Sequence, residues 1–67
     1  MNTTTASQVM AEVALHIPGS RQDGRDLIVP DSQAAQARDL AVTFGAVATE
    51  ARPSALFGHY VITAWME

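Results

Sequence analysis

The sequence predicts an α+β domain: a three- to four-stranded, mainly antiparallel sheet with one helix packed on one face, in the order β, short β, α, β, β. Three observations lead there. The run from His59 to Met66 is dense in β-branched and aromatic residues. The segment Asp31–Phe44 carries helix-start residues, a helical apolar arc and a following glycine. Pro18-Gly19, Asp23-Gly24 and Pro53-Ser54 punctuate the remaining apolar runs into short pieces.

The first element admits two assignments. As a strand, Val9, Ala11, Val13, Leu15 and Ile17 all fall on one face, a full period-2 match. As a helix, Ser7 is the N-cap candidate and Gln8, Glu12 and His16 form a polar i, i+4, i+8 stripe, but Leu15 is stranded among polar residues. The strand is preferred, with residues 1–7 expected to fray ahead of it. Pro18 to Gly24 reads as a loop. Leu27-Ile28-Val29 is a short strand, expected to pair back on Val13–Ile17 and ended by Pro30.

For the helix, Asp31 and Ser32 are good N-cap residues. Ala34, Ala37, Leu40, Ala41 and Phe44 share one arc of the helical wheel, and Gly45 is placed as the left-handed residue after the C-cap. Val47–Arg52 then has strand character, and the last strand follows a turn around residues 53–57, which makes a hairpin. Leu40, Phe44 and Ala37 are expected to be buried with Val13, Leu15, Val61 or Ile62. In the last strand Tyr60, Ile62, Ala64 and Met66 share one face, and His59, Val61, Thr63 and Trp65 share the other.

Length and composition bound the function. With 67 residues there is room for one domain, spanning 1–67, and a chain this small buries only about 60% of the surface it exposes when unfolded. The hydrophobic fraction of 48% includes twelve Ala, so the core is thin. There is no Cys, hence no disulfide or thiolate metal site. No apolar run approaches the ~20 residues of a membrane span, and Met1–Thr5 lacks a basic flank and apolar segment of a signal peptide, so a cytoplasmic location is expected. The net charge is −3, and Arg21, Arg25, Arg38 and Arg52 are too few and too scattered for a phosphate-neutralising stripe. Direct nucleic-acid binding is not expected.

No motif carries catalysis. His16 and His59 lack metal-ligand spacing, and Glu12 or Glu50 would have to supply a third ligand. Ser20 and Ser54 sit outside any Gly-x-Ser-x-Gly elbow. Asp23 and Asp26 flank a turn, where acids are common. Gly19 and Gly24 share the glycine spacing of a phosphate loop, but Arg25-Asp26 stands where Lys-Ser/Thr belongs. The chain is therefore expected to be no enzyme and to need no cofactor or metal.

Asp39-Leu40-Ala41, Phe44-Gly45-Ala46 and Ala48-Thr49-x-Ala51-Arg52 resemble a group of small uncharacterised bacterial and phage proteins that look like half of a ferredoxin-like fold. The resemblance covers about Val13 to Met66 and implies a strand, a loop, one helix ending in a Phe-Gly-small step, then a hairpin. It brings no catalytic residues. In size, acidity and lack of Cys the chain is also similar to phage-encoded anti-CRISPR proteins. Its dispersed carboxylates, Glu12 to Glu67, imply steric masking of a protein surface rather than DNA mimicry.

The resulting expectation is a non-enzymatic protein-binding module, a phage or mobile-element inhibitor that masks a surface of a bacterial defence complex. The alternative is a structural or assembly protein that works as a homo-oligomer. Self-association as a homodimer is expected through an uncovered sheet face or strand edge. Phe57, His59, Tyr60 and Trp65 are the candidate partner contacts, since aromatic anchors dominate interfaces.

Overall fold

The computed structural model describes residues 4–66. The element order is α1 (Ala6–His16), β1 (Arg21–Asp23), β2 (Asp26–Pro30), a 3₁₀ turn (Asp31–Gln33), α2 (Ala34–Thr43), β3 (Ala48–Pro53) and β4 (His59–Trp65). The fold is α+β with one four-stranded sheet, order β1-β2-β4-β3, and all three neighbouring pairs are antiparallel. Both helices pack against the same face. The strand β4 lies between β2 and β3, so β2-α2-β3 is a split β-α-β unit.

The segment preferred as a first strand is a helix. Two devices in the sequence outweigh the period-2 match. Thr5 and Gln8 form a reciprocal capping box: the Gln8 backbone N–H donates to Thr5 Oγ1 at 3.2 Å, and the Thr5 N–H donates to Gln8 Oε1 at 2.8 Å. Val9, Met10, Val13 and Ile17 then meet the core at helical spacing, all 2% exposed or less. The cost falls on Leu15, which is 79% exposed rather than buried as expected. Thr5 as N-cap and Ala6-Ser7 in the first turn also correct the expectation of fraying for residues 4–7; residues 1–3 lie outside the described residues.

With α1 in the helical layer, the expected pairing of Leu27–Val29 with Val13–Ile17 does not form. Strand β2 pairs instead with β1 and with β4. The segment assigned to a loop supplies β1, joined to β2 by the two-residue turn Gly24-Arg25, where Gly24 takes φ +61°. The Gln22 side chain ties this hairpin to α1, donating to Ser7 O and Gly24 O at 2.8 Å each.

The predicted helix divides into the 3₁₀ turn and α2, with no side-chain cap from Asp31 or Ser32 at its start. Its end is as the sequence predicts. Gly45, at φ +118°, donates its N–H to Val42 O (3.1 Å), and Ala46 N–H donates to Ala41 O (2.9 Å), the two bonds of a Schellman motif. Ala37 and Ala41 are fully buried, which lets α2 sit close on the sheet, while Leu40 and Phe44 pack at the core's margin.

One contiguous core results. Met10, Ile17, Leu27, Ile62, Val9, Val13 and Val29 are its largest fully buried side chains. Leu27 lies opposite Ile62 and Val29 opposite Tyr60 in the β2–β4 ladder, so these strands turn the same alternate positions toward the helices.

Candidate functional site

The other face of the sheet has no helix over it. Alternation along the strands places Asp26 and Ile28 of β2, His59, Val61, Thr63 and Trp65 of β4, and Glu50 and Arg52 of β3 on this side. Register puts Ile28 opposite Val61 at the centre, and both are half-buried. They form a short apolar stripe across the two middle strands.

Beside the stripe lies a polar bridge that crosses three strands. Thr63 Oγ1 donates to Asp26 Oδ1 at 2.6 Å and accepts from Arg52 Nη1 at 2.9 Å. Arg52 Nη2 also stands 3.6 Å from Asp26 Oδ2. These groups bury Thr63 to 4% exposure although no helix covers it. The hydroxyl is a link between a carboxylate and a guanidinium, and it meets both at hydrogen-bonding distance. Beyond it, Arg25 lies over the Trp65 ring at 5.6 Å from the centroid, a cation–π contact. The face thus has an apolar centre and ordered polar margins.

The β3–β4 loop closes one end. Phe57 at its tip is 98% exposed and Leu56 is 55% exposed. The loop is nonetheless anchored. Ser54 Oγ accepts from Leu56 N–H at 3.0 Å, Gly58 O accepts from Asp31 N–H at 2.9 Å, and His59 Nδ1 is 3.1 Å from Phe57 O. A concavity of about 620 Å³ runs beneath it, lined among others by Arg21, Ile28, Ser54, Leu56 and His59. A second, of about 720 Å³, lies beside α1 against Gln8, Glu12 and Phe44, with one carboxylate and no second acid or base.

Of the sequence-predicted contacts, His59 and Trp65 lie on the open face at opposite ends of β4, and Phe57 stands on the loop just before His59. Tyr60 is separated from them. It points to the helical side and packs against the core with Ile62, so it takes no part in the open surface. His16 sits at the end of α1 against Phe44, ring centroids 5.5 Å apart, across the sheet from His59. Among the described residues no three His, Asp or Glu side chains are grouped to hold a metal ion, and no helix is long and apolar enough to cross a membrane.

Sequence reasoning missed the Asp26–Thr63–Arg52 bridge and the Arg25–Trp65 contact. The available signal was face-sharing: Thr63 sits on Trp65's side of β4, and an Arg follows the Asp23-Gly24 turn. What it lacked was the β2–β4 register, which brings Asp26 opposite Thr63 from 37 residues away.

Comparison of the chain with protein-family models, with curated proteins and with solved structures finds no match.

Proposed function

We propose that this chain is a non-enzymatic protein-binding module that makes contact through the open sheet face and the β3–β4 loop. The observation that carries this is Phe57: a large aromatic side chain held 98% exposed on a hydrogen-bonded loop whose Leu56 shares a concavity with Ile28 of the open face. An aromatic anchor beside an apolar centre with a polar margin is the anatomy of an interface hot spot. His59 and Leu56 extend it, Trp65 stands at the far end of the same face, and the Asp26–Thr63–Arg52 bridge keeps the surface rigid before contact.

The narrower proposal concerns the partner. Small size and dispersed acidity favour a protein that masks a surface of a bacterial defence complex. In a cell carrying an active defence system, expression of the chain should raise phage or plasmid survival, and unchanged survival across such systems would remove this narrower proposal alone.

The binding reading itself is tested by Phe57→Ser and Val61→Arg. Neither side chain is in the core, so circular dichroism should be unchanged for both. Truncating a hot spot of this kind costs ≥ ~2 kcal/mol of binding, about thirtyfold in affinity. A partner retained by the wild type and equally by both variants would place the contact surface elsewhere.

A further inference from the structure

The strand β3 is one edge of the sheet, and its outer side has no neighbour among the described residues. Its hydrogen-bonding direction follows from the hairpin. Ser54 N–H donates to His59 O at 3.0 Å, in line with the β3–β4 register, so by alternation positions 48, 50 and 52 bond inward to β4. The N–H and C=O of Thr49 and Ala51, and the C=O of Pro53, therefore point to the free edge. The side chains alternate independently: Thr49 and Ala51 face the helices, and Glu50 and Arg52 face the open side.

We infer that β3 is a homodimer edge: two copies pair antiparallel about a two-fold axis at Ala51, which joins their sheets into one of eight strands. Three registers keep the helices of both copies on one side and centre on the middle of β3. Centring on Glu50 sets Glu50 against the other copy's Glu50. Centring on Arg52 sets two arginines together. Centring on Ala51 puts each Glu50 directly opposite the other copy's Arg52, so two ion pairs form across the axis. Opposite charges two residues apart on an edge strand are self-complementary in that register alone, whereas an edge blunted against pairing would gain more from like charges.

The backbone agrees. Ala51 and its copy exchange both N–H···O bonds, and each Thr49 N–H reaches the other copy's Pro53 C=O, four bonds in all. Pro53 lacks an N–H at a position where the axis asks only for an acceptor. The helical layer supplies a second, independent indication. Above the β3 edge, α2 turns Ala35, Arg38, Asp39 and Val42 outward around a concavity of about 230 Å³ that also includes Thr49. Val42 is 54% exposed there. In the paired sheet the α2 helices of the two copies flank the axis, which covers Val42 and leaves the small Ala51 side chains beneath it at the centre.

The interface is at the small end for a stable dimer, so the association belongs to the micromolar range. Sedimentation equilibrium at about 100 µM, a concentration suited to an interface of this size, should give twice the 7.1 kDa mass of one chain. Glu50→Arg puts arginine against Arg52 in both contacts and should raise the dissociation constant by about tenfold or more. Arg52→Glu should do the same, with circular dichroism confirming that loss of its Asp26 and Thr63 partners leaves the fold standing. The decisive arm mixes the two variants: position 50 of each then meets an opposite charge at position 52 of the other, and the mixture should dimerise where neither variant does alone. Should Arg52→Glu not fold, Ala51→Pro, which removes only the edge-facing N–H, takes its place and should also yield monomer. A monomeric wild type at this concentration, or a Glu50→Arg variant that dimerises as the wild type does, overturns the inference.

Discussion

The two faces of this sheet are built from alternate residues of the same strands, yet they are different materials. On the helical side of the two central strands Leu27, Val29, Ile62 and Ala64 are completely buried and form an apolar patch. On the open side the next residues along, Asp26, Ile28, Val61 and Thr63, mix charge, hydroxyl and half-exposed hydrocarbon. The first face holds the domain together. The second is held in shape by the first and by its own bridge, and its apolar area is free for other contacts. The same strands supply both surfaces, and the side-chain period of two is what allows it.

The sharpest break of this contrast is Ile62→Ala. It empties a fully buried site on β4 beside Leu27, beneath the helices, and the loss should be about 2–5 kcal/mol. Total stability for a domain of this length is only about 3–10 kcal/mol. Urea melts should show a large fall in midpoint, and a variant within 1 kcal/mol of the wild type (~) would mean that the helical face is not the principal core.

Asp26→Ala probes the open face through the partner of its buried residue, Thr63. It deprives the Thr63 hydroxyl and the Arg52 guanidinium of their shared acceptor. The expected loss is about 1–3 kcal/mol, set by the buried hydroxyl rather than by the solvent-screened ion pair. The same melt with no measurable change would show that the bridge is ornamental to stability.

Thr5→Ala tests whether α1 owes its existence to its cap. About 1 kcal/mol should be lost, with amide exchange accelerating first at Gln8 and Val9. If exchange stays uniform along α1, the capping box is not what decides helix over strand. Val61→Thr, one residue from Ile62 but on the other side, completes the set. Its stability cost should stay below about 0.5–1 kcal/mol, while any partner binding through the open face weakens. A cost equal to that of Ile62→Ala would erase the distinction between the faces.

What the sequence disclosed follows the same division. The face assignment of β4, the β3–β4 hairpin, α2 and its Gly45 terminus were legible, because each rests on a local rule: alternation, turn chemistry or a left-handed cap. The α1 segment was misassigned because Val9, Ala11, Val13, Leu15 and Ile17 satisfy a strand by coincidence of small and branched residues. Met10 was the discordant residue: fully buried, it has no place on a strand whose odd positions face inward. A four-stranded sheet also presents more apolar area than the ten-residue α2 can cover, which calls for a second helix. The bridge was illegible for a different reason. It depends on a register between segments far apart in sequence, and nothing local to Asp26, Arg52 or Thr63 signals it.

The central placement of β4 bears on how the chain reaches this state. Strands β2 and β3 share no hydrogen bonds; each bonds to β4, which is synthesised after both. A nascent chain that has emerged only through β3 holds a hairpin of β1 and β2, two helices and a lone strand, with Leu27 and Val29 lacking the row of side chains they pack beside. Joining Asp26 to Thr63 closes a 37-residue separation in one step, and that entropy must be spent before the ladder returns anything. The sheet therefore cannot be completed until residues 59–65 have left the ribosome, because neither β2 nor β3 has β4 to bond with before then.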